Sequence, residues 1–230
     1  MTNFQIRAKE KIGHQAQPAA TLKPIVRNIV KDSRAMLAKR PDDAKLRARE
    51  ARQYALDHLE ELHEQVKQTC KKNGIHYHRT STAKEACQLI SKLSGGAQRI
   101  AKSKSMVAEE IGLTNYLRNE NREVLETDIG EYIVDIEGQG PSHITAPAIH
   151  LNRQGIQKLL DQAGLEVVDD EPLTLSHAVR DTVADFFKNT EVGITGANAI
   201  IASSGRIMIV ENEGNVAFGF SKPPIHIAVT

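Results

Sequence analysis

A chain of 230 residues that is 40% hydrophobic and 26% charged, with 15 Gly and 8 Pro, can build a core and is not collagen-like, disordered or a coiled coil. No apolar run approaches the roughly 20 residues of a bilayer span, and the start MTNFQIRAKEKIGH lacks the apolar centre of a signal peptide, so the expected location is the cytoplasm. The net charge of +1 hides a division: residues 1–120 carry 23 Lys and Arg against 13 Asp and Glu, whereas residues 121–230 carry 7 against 16.

Residues 1–20 are polar and aperiodic, and a short helix is predicted near 25–38, giving a basic N-terminal helical arm over residues 1–42. The α/β domain is expected over 43–230. From Asp43 to Asn73, Ala51, Ala55, Leu59, Leu62 and Val66 recur at threes and fours, which predicts one long amphipathic helix stopped by Gly74. A strand is expected at IHYHR (75–79), and Thr82-x-x-Glu85 offers a capping box for the helix carrying Ala86, Leu89, Ile90 and Leu93. The cycle repeats with a strand near 98–103, a helix from Ser105 through Leu117 and a strand at 123–127. Strands alternating with helices imply βαβ units, hence a mostly parallel, Rossmann-like sheet flanked by helices.

After Asp128 the glycines and prolines of IGEYIVDIEGQGPSHITAPAIH prevent a long regular element. Helices follow at 152–163 and about 176–189, joined by the acidic stretch Glu166–Glu171. The apolar runs VGITGANAIIA and GRIMIVEN, separated by Ser203-Ser204-Gly205, predict a hairpin, and 225–229 a further strand. An apolar strand at the end of the chain predicts a domain that continues beyond it.

In open α/β sheets ligands bind beyond the carboxyl ends of strands. Lys102, Ser103, Lys104 and Ser105 fall at such a place, where a strand gives way to a helix, and they suit a phosphate or carboxylate as well as plain N-capping by Ser105. Asp128 and Glu131 stand at the next junction, as an acid/base pair or as a helix cap with its neighbour. His143 and His150 lie in a loop bracketed by prolines, seven residues apart and without an acidic third ligand in sequence, which suits satisfied imidazoles in a rigid loop, or acid–base work by His143, better than a metal site. Thr195, Asn198, Glu213 and Asn215 sit among glycines at strand edges, where they cradle a small polar ligand or merely build turns. There is no Walker loop and no GxGxxG. Aromatics are 4% with no Trp, so nucleic acid finds few stacking platforms, and the basic arm fits a solvated face or an acidic partner better. Two cysteines, Cys70 and Cys87, cannot assemble a four-thiolate cluster from this chain alone.

Five motifs in order, SKSMVAEEIGL (103–113), ETDIGEYIVDI (126–136), PSHITAPAIHLNRQGI (141–156), GITGAN (193–198) and ENEGN followed by PPIHIAV (211–229), resemble the LUD-domain (lactate utilisation) family. Within it the resemblance is to the LUD region of the iron–sulfur subunits. It implies a fold similar to the sugar-phosphate isomerase and CoA-transferase superfamily. It further implies a part in the oxidation of L-lactate to pyruvate within a cytoplasmic complex of lactate-utilisation subunits, with iron–sulfur clusters on a partner or on a region absent from this chain. The implied ligand is a small carboxylate or phosphate. A stand-alone enzyme acting on a phosphorylated or CoA-linked substrate is the other reading. The chain departs from the family in having Val216 and Ala217 after ENEGN and AIIASSGR at the hairpin turn.

Overall fold

The computed structural model describes residues 17–138, 146–211 and 213–230. Its centre is a parallel sheet of four strands, β1 (Arg99–Lys102), β2 (Glu123–Glu126), β3 (Val192–Thr195) and β6 (Ile225–Ala228), in the order β2-β1-β3-β6. Ile100 pairs with Val124 and Val192, and Ile194 with Ile227. The antiparallel hairpin expected around the Ser-Ser-Gly turn is shorter than its apolar runs: only β4 (Ala199–Ile201) and β5 (Arg206–Met208) pair, the VGIT half of the first run joining the parallel sheet as β3, and Gly205 takes φ +67° at the turn.

Side chains alternate across the strands, so each strand supplies both layers of the core. On one face Ile100, Val124, Val192 and Ile194 meet Cys87 and Ile90 of α4 (Ala83–Leu93), Ala108 of α5 (Met106–Glu110) and Leu113 and Leu117 of α6 (Leu113–Asn119). On the other, Ala101 meets Tyr132 of α7 (Ile129–Glu137), Leu160 of α8 (Arg153–Gln162) and Val179, Val183, Phe186 and Phe187 of α9 (Pro172–Lys188). The chain is thus the Rossmann-like α/β arrangement that the alternating elements predict, with a helical region in front of it: α1 (Gln17–Leu37), α2 (Ala44–Asp57) and α3 (Leu59–Lys72).

Several boundaries differ from the sequence reading. The helix expected over 43–73 is two, broken at His58, whose backbone leaves helical angles (φ −119°, ψ 29°) while its ring stacks on Tyr54 at 4.1 Å. Gly74 does end α3: at φ +70° it lets the Ile75 N–H donate to the Cys70 carbonyl and its own N–H to Lys71. Residues 75–79 are not a strand. They lie along α3 instead, held by the Tyr77 hydroxyl 2.7 Å from His63 Nδ1 and by two 2.7 Å bonds from Arg79 to Glu60. The helix expected from Ser105 to Leu117 is interrupted at Gly112, in the left-handed region at φ +69°. Thr82 caps α4 as predicted, accepting from the Glu85 N–H, while the Glu85 carboxylate accepts from Ser81.

A further helix, α10 (Asn215–Ser221), crosses β3 so closely that a Cβ built on Gly193 would fall 1.6 Å from the Gly219 carbonyl oxygen. The missing side chain of Gly193 is therefore the condition for seating α10 on the sheet.

Candidate functional site

All four parallel strands deliver their carboxyl ends to one edge, and most of the sequence candidates lie there. Lys102 is the last residue of β1 and completely buried. By strand alternation it shares the face of Ile100, and its Nζ lies 2.9 Å from both Glu109 of α5 and Glu126 of β2. Burial alone would push this ammonium down, but the two carboxylates outweigh it and hold the group above the ordinary lysine range. Glu126, 4% exposed, is pushed up to about 7 by burial against the pull of Lys102. Its Oε1 also accepts from the Thr114 hydroxyl at 3.0 Å, whereas among the described residues Oε2 has no hydrogen-bond partner. One ammonium cannot fully neutralise two carboxylates, so the more deeply buried one is only about half ionised near neutrality. Lys102 is in this way an internal counter-ion, and the anion site that Lys102 and Ser105 offered in sequence is altered: Ser105 caps the five-residue α5 through the Ala108 N–H.

The neighbouring cation is placed differently. Lys104, 24% exposed at its side chain, reaches Glu131 of α7 at 3.3 Å. Burial raises the Glu131 carboxyl, with Lys104 pulling the other way. Asp128 is the N-cap of α7 and accepts from the Glu131 N–H at 3.0 Å. Glu213, arriving from the loop before α10, accepts from the Ile129 N–H at 3.4 Å, and burial together with the Asp128 charge raises its pKa. Asn215 donates through Nδ2 to the Thr127 hydroxyl at 3.3 Å. Lys104, Thr127, Asp128, Glu131, Glu213 and Asn215 thus converge from three chain segments around the first turn of α7.

The other candidates divide. Ser103 is buried, its N–H donating to the Ile194 carbonyl. Thr195 is buried beside His226, hydroxyl to Nε2 2.8 Å, and burial lowers the imidazole pKa. Asn198 closes the hairpin: its Oδ1 accepts from Val210 and its N–H donates to Met208. His150 lies 2.8 Å from Glu137, at the opposite end of α7 from Asp128. His143 lies outside the described residues. Sequence reasoning missed Glu109, Glu126, Thr127 and His226 as members of this edge. The available signal was β2 itself, where alternation puts Glu126 on the same face as buried Val124.

Among the described residues no three His, Cys, Asp or Glu side chains converge as a metal site. Iron–sulfur clusters do not fit this chain: it has two cysteines, both buried, where a cluster takes about four thiolates.

The LUD domain model matches residues 63–230. The chain belongs to the LUD-domain family. This LUD-domain chain is 39% identical over 185 residues to "Lactate utilization protein B" of Shouchella clausii strain KSM-K16, covering 79% of the chain and 39% of that relative. It is 38% identical over 183 residues to the protein of the same name in Bacillus cereus strain AH820, covering 78% and 38% respectively. The LUD-domain chain therefore spans about two fifths of the length of the curated relatives it matches. No solved structure matches it.

Proposed function

We propose that this chain acts in L-lactate utilisation, as the LUD component of an iron–sulfur electron-transfer complex that oxidises L-lactate to pyruvate, and that its carboxyl-edge cluster binds the small carboxylate. The name shared by its relatives supports the pathway. The observation that carries the site is the Lys104–Glu131 pair, a partly exposed cation held against a carboxyl whose pKa burial has raised.

A 2-hydroxy acid asks a site for a cation to meet its carboxylate and an acceptor for its hydroxyl proton. When the ligand carboxylate takes Lys104, Glu131 loses its counter-charge and becomes a stronger proton acceptor. Glu213 and Asn215 then border the same space from the α10 side. Lactate oxidation releases two electrons and two protons, and the electrons leave to redox centres that this chain does not form. The account assigns these residues only binding, orientation and acceptance of a proton.

The reading as a stand-alone enzyme for phosphorylated or CoA-linked substrates draws on the Lys102–Ser105 helix start together with the Asp128/Glu131 junction, and needs both lysines for the anion. With Lys102 fully buried between two carboxylates, that pairing no longer favours it. Calorimetric titration with L-lactate, pyruvate, a set of sugar phosphates and CoA esters separates the two. Saturable heat with L-lactate and not with the phosphorylated compounds is expected; the reverse pattern refutes the proposal.

A further inference from the structure

Two surfaces of this molecule are left uncovered in a complementary way. From Arg27 to the end of α1 every side chain is exposed. Arg27, Lys31 and Arg34 stand at i, i+4 and i+7 on one face and line a groove with Val30. Val30 and Leu37 flank them, and Ile29 and Met36, each about 60% exposed, carry the uncovered apolar surface round to the far side of the helix. Such a surface on an isolated helix contributes nothing to stability until something covers it. The second surface is the segment 164–173, which runs from the loop after α8 into the first turn of α9 and carries Glu166, Asp169, Asp170 and Glu171 with no Lys or Arg. Within it Val168 is 87% and Leu173 68% exposed, the first the most exposed large apolar side chain described.

We infer that two copies of this chain associate reciprocally, the basic face of α1 with its flanking Val30 and Leu37 in each covering the acidic segment 164–173, with Val168 and Leu173, of the other. Charge decides the occupant. Residues 1–52 carry 13 basic and 5 acidic side chains, and residues 121–230 carry 7 and 16, so each copy holds both halves of the match. An anionic membrane would satisfy α1 alone and leave Val168 and Leu173 in water, whereas the reciprocal contact covers both surfaces. Related by a two-fold axis, the two copies make both contacts at once, α1 of each on segment 164–173 of the other, and the pair is closed. The association is steered by exposed charges, so it weakens as the Debye length falls from about 10 Å at 0.1 M salt to about 3 Å at 1 M.

Light scattering on the full chain at low and high salt, with far-UV circular dichroism as the control of folding, tests this. The wild type should show about twice the 25.4 kDa chain mass at low salt and move toward the single-chain mass at high salt. Charge reversal on the arm (Arg27→Glu, Lys31→Glu, Arg34→Glu) and, separately, on the loop (Glu166→Lys, Asp169→Lys, Asp170→Lys) should each weaken association at least about tenfold. Mixing the two reversed variants should restore a one-to-one pair, because each reversed patch then meets its complement. A wild type that stays single-chain at every salt, reversed variants that dimerise as before, a mixture that does not pair, or binding to phosphatidylserine vesicles by a chain that remains monomeric would each overturn the inference.

Discussion

Lys102 and Glu126 show how one residue at the end of a strand fixes the chemistry of an edge. A buried ammonium without partners would be unaffordable, and here Glu126 and Glu109 both lie 2.9 Å from it. Replacing Lys102 with Met leaves Glu126 buried without its counter-charge and should cost about 3 kcal/mol at neutral pH, measured by urea unfolding. The cost should shrink near pH 5, where Glu126 is protonated and needs no cation. Glu126 also sets a pH dependence of the native protein. Its pKa is raised in the folded state, so the folded chain binds the proton more tightly than the unfolded one. Its contribution is therefore fully present below the ordinary carboxylate range and is lost as pH rises through about 7. Raised pKa values at Glu131 and Glu213 act with the same sign. Unfolding midpoints should thus fall between about pH 5 and about pH 7, and Glu126→Gln should flatten part of that slope. An unchanged slope in this variant would remove Glu126 as its source.

Among elements, the most demanding contact is α10 on β3. Gly193→Ala places a methyl carbon where the Gly219 carbonyl oxygen stands, and backbone cannot yield as a side-chain tip does. The expected result is release of α10, seen as fast hydrogen exchange over 215–221 with the β1 and β2 amides still protected. Uniform protection across the variant would contradict it. The same helix explains where the sequence was readable. Thr82 with Glu85, Gly74 and the Ser203–Gly205 turn signal their structures locally, because caps and turns need particular side chains or a positive φ. Three of the four parallel strands were legible as short runs set off from helical patterns, whereas β3 was hidden in the run VGITGANAIIA, which reads as one arm of a hairpin. In α10, by contrast, FGF in seven residues has no periodicity to detect, and its interior Gly219 reads as a breaker until β3 is seen beneath it. Residues 75–79 misled in the opposite direction: IHYHR alternates like a strand, but its tyrosine and arginine find partners on α3 rather than on a sheet.

At the scale of the whole molecule, four parallel strands put Lys104, Asp128, Glu131, Glu213 and Asn215 into one cluster although they span more than a hundred residues of sequence. That convergence was half legible. The junctions after β1 and β2 could be named from the strand–helix alternation, and so could the glycine-rich approach to α10. What the sequence could not assign was which lysine stays buried and which meets solvent, because Lys104 lies beyond the end of β1, where strand alternation no longer fixes its side. It also could not separate Asn198, which closes a hairpin, from Asn215, which joins the cluster. The central claim is that Lys104 receives a small carboxylate at this edge. Calorimetric titration of L-lactate into the wild type and into Lys104→Ala tests it most directly. The account predicts a saturable one-to-one heat whose affinity falls at least about tenfold in the variant, the loss of one charge-assisted contact; equal affinity in the two proteins would contradict it.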